Sequence, residues 1–190
     1  MDQTELLRHV VEAMDALGIA YMIVGSQASI YYGEPRFTQD IDVVADIDAS
    51  HVPGLLARFP VDEFYISEEA VREAIRTGRQ FNIIHPAAGL KIDVMVKKDT
   101  LYDRVQFERR QRKTIAPNLD AYLARPEDII LYKMLYFREG GSDRHLPDIL
   151  GMRIPGAAID RRYVSEWAAR LGLGTIWESV QKQAPTREVT

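Results

Sequence analysis

Leu6, Val10, Met14 and Leu17 recur at helical spacing, and Gly18 follows them as a stop, which predicts an opening helix. Ile19 to Val24 is a short apolar run between Gly18 and Gly25, the pattern of a buried strand. Gln27 to Tyr32 predicts a short helix ended by Gly33, and 34–39 a loop around Pro35. Asp40-Ile41-Asp42-Val43-Val44 reads as a strand from its β-branched content. Val52 to Phe59 and Glu68 to Thr77 read as helices, the second closed by Gly78. Phe81 to His85 and Lys91 to Val96 are two strands, joined as a hairpin through Pro86-Ala87-Ala88-Gly89. Thr114 to Ala116 is a candidate edge strand.

From Arg125 the pattern turns helical. Pro126 suits a first helical turn, and Glu127 and Asp128 suit the positive end of the helix dipole. That helix runs to about Glu139, where Gly140-Gly141 breaks it, and two or three more follow around Trp167 and Trp177. The expected architecture is α+β: a short mixed sheet with helices on it over 1–118, then a helical subdomain over 119–190 packed on that core.

Three features of this pattern carry candidate chemistry. Gly25-Ser26 stands where a strand gives way to a helix, a junction whose unpaired amides and dipole favour an anion. The same pair also serves as an ordinary turn and cap. Asp40 and Asp42 lie two apart on a strand, so both point to one face while Ile41 and Val43 point to the other. Two carboxylates so placed repel unless a cation lies between them, and a hard divalent ion such as Mg²⁺ suits oxygen ligands. Asp93 repeats the arrangement: Ile92, Val94 and Val96 share one face, and Lys91, Asp93 and Met95 the other. If the two strands are neighbours, three carboxylates converge; otherwise the acids merely keep a sheet face wet. Asp46 and Asp48 form a second Asp-x-Asp, but at a strand end before a helix, where capping and solubility are their expected roles.

Composition narrows the partners. The 190-residue chain has a formal net charge of −4, so nucleic acid contact requires a local basic patch. The densest cluster is Arg104, Arg109, Arg110, Arg112 and Lys113, expected to be a solvated face offsetting Asp103 and Glu108 rather than an RNA-steering patch. There is no cysteine, which excludes disulfides, thiolate metal sites and cysteine nucleophiles. An acidic N-terminus and the lack of any long apolar run predict a soluble cytoplasmic protein with no membrane segment. The four histidines have no metal-ligand spacing and are expected to be non-catalytic. Trp167 and Trp177 are expected in the core, and Tyr31 and Tyr32 to pack, although either tyrosine is placed to stack on a base.

Val24-Gly25-Ser26, a spacer of thirteen residues, Asp40-Ile41-Asp42-Val43 and then Ile92-Asp93-Val94 together resemble the polymerase-β nucleotidyltransferase superfamily. The stretch Arg36-Phe37-Thr38-Gln39-Asp40-Ile41-Asp42 looks like the minimal bacterial members, including AbiEii-type toxins of toxin–antitoxin systems. Arg125-Pro126-Glu127-Asp128 with Lys133, and then Arg138 and Asp148, is similar to that subgroup's helical motif, in which a lysine and a later aspartate face the nucleotide. The resemblance runs from about Ile19 to Asp148. It implies a nucleotidyltransferase fold. It also implies Mg²⁺ (or Mn²⁺) on Asp40, Asp42 and Asp93, the catalytic trio. A nucleoside triphosphate would be bound by Gly25, Ser26, Arg36, Lys133 and Asp148. The implied reaction moves a nucleoside monophosphate to a hydroxyl of RNA, protein or a small molecule, with an antitoxin or a second copy as partner. On the residues alone, Lys133 is equally a snorkelling lysine and Asp148 a helix cap. Two other classes stay open: a catalytically inactive binding module on the same fold, and metal-dependent phosphodiester hydrolysis, which leaves Gly25-Ser26 unexplained.

Overall fold

In the computed structural model, residues 1–32, 40–138 and 159–183 are described. They form two compact units, one of residues 1–27 with 40–124, the other of residues 28–32 with 125–138 and 159–183.

The first unit opens with α1 (Gln3–Leu17), held at its start by a reciprocal Asp2–Glu5 capping box and at its end by Gly18 in the left-handed region. β1 (Ala20–Ile23) follows, and α2 (Gly25–Tyr32) starts in this unit. Then come β2 (Asp40–Asp46), α3 (Val52–Arg58), α4 (Glu68–Thr77), β3 (Gln80–His85) and β4 (Leu90–Val96). The chain continues through α5 (Leu101–Glu108), β5 (Gln111–Ala116) and β6 (Leu119–Leu123).

The six strands form one mixed sheet in the order β3-β4-β2-β1-β6-β5. β2 is parallel to β4 and antiparallel to β1, and β1 is parallel to β6. The two sequence-adjacent hairpins, β3–β4 and β5–β6, are antiparallel. Ile41, Val43, Ile92 and Val94 of the central strands are fully buried, as alternation requires of a sheet face that lies on a core. The expected β3–β4 hairpin is present, its Pro86–Ala88 turn tightened to one 3₁₀ turn and closed by Gly89 at a φ of 63°.

Two elements depart from the expected set. The charged stretch Leu101–Glu108 is a helix, capped by Thr100. Residues 119–123 pair with β5 and β1, so they belong to the sheet, and the division between units falls after Ala124 rather than near Asn118. The alternation of buried Leu119, Ala121 and Leu123 accounts for this placement.

The second unit contains α6 (Pro126–Arg138), α7 (Arg161–Arg170) and α8 (Gly174–Gln183). Its buried polar residues are tied together: the Tyr163 hydroxyl donates to Asp128 at 2.7 Å, and the Asp160 amide to Glu127 at 3.1 Å. Trp167 and Trp177 are buried as expected, and the Trp177 indole donates to Ser165 at 2.8 Å. Among the described residues no helix is long and apolar enough to cross a membrane.

Candidate functional site

The parallel pairing of β2 with β4 sets Asp42 opposite Asp93 and Asp40 opposite Lys91. Register partners in a sheet point to the same face, so the two strands together present three carboxylates and one ammonium. The apolar residues between them, Ile41 and Ile92, are buried on the opposite face and lock that register.

The turn after β1 closes one side of the cluster. The Val24 amide donates to the Asp42 carbonyl at 2.9 Å, which ties the end of β1 to the middle of β2. Gly25 then adopts a φ of 61°, and a Cβ at that position would lie 2.6 Å from the Asp42 carboxyl carbon. Glycine is therefore required twice here, for the backbone angle and for the approach of the carboxylate. The Ser26 amide, at the start of α2, donates to the Asp42 carboxylate. The helix start expected to receive phosphate thus already holds an anionic oxygen, which is what its dipole and open amides favour.

The charges act on one another. Burial, and then the neighbouring Asp93, push the Asp42 carboxyl up to about 6, against the opposing pull of the Ser26 amide. Lys91 Nζ pairs with Asp93 Oδ2 at 2.9 Å and reaches Asp40 Oδ1 at 3.7 Å. Its hydrogen bond to Asp93 holds the ammonium above the usual lysine range. The other Asp93 oxygen, Oδ1, is buried with no hydrogen-bond partner. A buried carboxylate oxygen left without a donor is costly, and here it lies beside a second, half-buried acid.

Among the described residues no three carboxylate or imidazole side chains converge as a ready metal cage. Asp42 and Asp93 face each other, while Asp40, about half exposed, joins them through Lys91. The donor chemistry nevertheless fits a hard divalent ion: anionic oxygens on two rigid strands, one of them unsatisfied.

The remaining residues singled out in the sequence are placed elsewhere. Lys133 lies on α6 in the second unit and is 5% exposed, which excludes a lysine snorkelling to solvent. Arg36 and Asp148 lie outside the described residues, as does His145. Tyr32 is buried edge-on against exposed Tyr31. His85 accepts the Ala88 amide at 3.1 Å and packs on Phe64, a structural role. The basic cluster is not simply a solvated face offsetting Asp103 and Glu108. Arg110 lies 4.4 Å from the Phe107 ring centroid and 4.9 Å from that of Tyr122, and Arg104 pairs with Asp99 at 3.0 Å. Lys91 is the residue that sequence reasoning passed over as a participant. Its signal was available: two positions before Asp93 on a strand, it must share that face.

Solved structures share the fold that carries these residues. The chain superposes on an antigenic nucleotidyltransferase-like protein from Paracoccidioides brasiliensis with a TM-score of 0.55, at 20% identity over 95% of this chain and 93% of the other. It superposes on ANT(2″)-Ia in complex with adenylyl-2″-tobramycin with a TM-score of 0.54, at 13% identity over 96% and 99%. The lincomycin-bound lincosamide adenylyltransferase LnuA gives 0.50, at 10% identity over 80% and 97%. This is the nucleotidyltransferase fold. No family model and no curated protein matches the sequence, so the likeness is one of nucleotidyltransferase architecture.

Proposed function

We propose that this chain is a metal-dependent nucleotidyltransferase that moves a nucleoside monophosphate from a nucleoside triphosphate to a hydroxyl acceptor. One observation carries the proposal: Asp42 stands opposite Asp93 on parallel strands, with the Gly25–Ser26 turn pressed against Asp42. On the nucleotidyltransferase fold, that places an acid pair beside an anion-favouring helix start.

Asp40, Asp42 and Asp93 would hold Mg²⁺ or Mn²⁺. When bound, the ion supplies Lewis acidity toward the triphosphate and the acceptor hydroxyl. Gly25 would let the backbone approach the phosphates, and the Ser26 hydroxyl would donate to them, its amide being taken by Asp42. Asp93, with its unsatisfied buried oxygen, would take the acceptor's proton. The acceptor oxygen then forms its bond to the α-phosphorus as the bond to the bridging oxygen breaks, and pyrophosphate leaves. Lys133, Arg36 and Asp148 remain candidates for the nucleotide on the motif resemblance alone.

Among acceptors, a small polyhydroxylated molecule is favoured, because two of the structural neighbours are antibiotic-modifying adenylyltransferases. The AbiEii-like motif stretch supports a toxin-type enzyme acting on RNA or protein, with an antitoxin or a second copy as partner. The α-labelled triphosphates, incubated with Mg²⁺ and separately with aminoglycosides, lincosamides, total RNA and total protein, distinguish these. Transfer to an antibiotic supports the first form, and transfer to RNA or protein the second. Label must move with wild type and not with Asp42→Asn.

A second reading, a binding module without catalysis, is favoured by Lys91 already pairing with two of the acids. Triphosphate binding with no pyrophosphate release for any acceptor would decide for it.

A further inference from the structure

We infer that Lys91 is a displaceable counter-ion: its ammonium neutralises the acid cluster when no metal is bound and must leave Asp93 and Asp40 when one enters. The inference rests on the metal site proposed above and concerns how that site is filled.

The geometry carries it. Lys91 is set opposite Asp40 by the β2–β4 register and lies two residues before Asp93, so its Cα is fixed beside both acids. Its Nζ lies within 4 Å of both Asp93 and Asp40, each through one carboxylate oxygen. These are oxygens that a divalent ion between the acids would need. The ammonium nevertheless leaves the cluster incompletely satisfied, because Asp93 Oδ1 has no partner. A lysine cannot do more: a compact charge on a single-point tether serves one side of the cluster. The Lys91 side chain is about one third exposed, and four flexible bonds let it swing into water without any backbone movement. Lys97, directly after β4, provides the contrast. It pairs with one acid, Asp46, at 2.6 Å in a balanced pair that no metal needs to disturb.

Two consequences follow. Removing the ammonium removes a competitor, so metal should bind more tightly. Binding metal should expose the Lys91 amine.

The test uses the whole protein and Mn²⁺ alone as probe. Mn²⁺ affinity is measured by electron paramagnetic resonance for wild type, Lys91→Met, Lys91→Gln and Asp42→Asn. In parallel, acetylation of Lys91 and Lys97 in wild type is timed by mass spectrometry with and without saturating Mn²⁺. Lys91→Met and Lys91→Gln should each bind Mn²⁺ about tenfold more tightly than wild type, the effect of deleting one nearby positive charge at the half-buried end of the sheet. Lys91 acetylation should accelerate several-fold with Mn²⁺ while Lys97 is unchanged. If Mn²⁺ binds through Asp42 but neither substitution tightens it and Lys91 reactivity stays constant, the inference is overturned and the metal site stands. If wild type and every variant fail to bind Mn²⁺, or bind it regardless of Asp42, the metal site itself is wrong and the inference falls with it. The acetylation arm needs no mutant, so a variant that fails to fold leaves the inference exposed to refutation.

Discussion

The same pair of strands meets a lysine in two places, and the two meetings differ in kind. At the far end of β2, Asp46 and Lys97 form a one-to-one pair at 2.6 Å, with Asp46 about half exposed. Nearer the start of β2, Lys91 pairs with both Asp40 and Asp93, and half-buried Asp42, opposite Asp93, is held by the Ser26 amide. The first arrangement is what a protein needs to end a strand in water. The second sets Asp42 and Asp93 side by side with one Asp93 oxygen unsatisfied, and burial and that neighbour raise the Asp42 carboxyl, which costs stability when it is charged. That difference is why the proposed cation site is the second cluster and not the first.

Substitutions at the two ends should therefore behave oppositely. The largest expected effect is on transfer: Asp42→Asn should lower label transfer about 10³-fold or more, the loss of several kcal/mol of transition-state stabilisation. Asp46→Asn should leave transfer within about twofold. A radiolabel assay with a single acceptor reads both.

The sign reverses for the stability of the metal-free protein. Asp42 holds its proton up to about pH 6 when folded and 3.8 when unfolded, so folding is favoured by the protonated form. Its contribution is fully present below pH 3.8 and is lost as the pH rises through about 6. At pH 8, Asp42→Asn, which still accepts from Ser26, should stabilise the apoprotein by on the order of 2 kcal/mol. At pH 4 the gain should nearly vanish. Urea titrations at the two pH values check this.

Gly25→Ala tests the wall of the site. It combines a φ of 61° with a clash against Asp42, and should cost about 1–3 kcal/mol and abolish triphosphate binding. Gly78→Ala has a φ of 64° with nothing within 4 Å of the added carbon. It should cost about 1 kcal/mol and leave binding intact. The smallest effect belongs to Lys97→Met, with a change of about 0–1 kcal/mol in denaturation and none in metal affinity.

Much of the contrast is legible in the sequence. Asp40-Ile41-Asp42-Val43 declares its two faces because strand alternation is strict, and Gly25-Ser26 marks a strand-to-helix junction by residue type alone. The second Asp-x-Asp is legible as a strand end, and Asp48 does accept the Ser50 amide at 2.8 Å. What the sequence does not carry is register. That Asp42 faces Asp93 depends on pairing between strands some fifty residues apart, and the same long-range fact seats Lys91 against Asp40. α5 is hidden because four of its eight residues are charged or amide-bearing, and one of them, Gln106, takes the buried position one turn after Tyr102. β6 is hidden because five residues ending just before Pro126 are too short to outweigh the helix signals after them.

Thermal unfolding of wild type, Asp42→Asn and Asp46→Asn at pH 8, with a nucleoside triphosphate added in the presence and absence of Mg²⁺, tests the central claim most directly. Wild type and Asp46→Asn should be stabilised by triphosphate only when Mg²⁺ is present, and Asp42→Asn, the most stable of the three without ligand, should gain nothing. Equal stabilisation of all three proteins, or stabilisation of wild type that ignores Mg²⁺, would contradict the assignment of the Asp42–Asp93 cluster as the cation site.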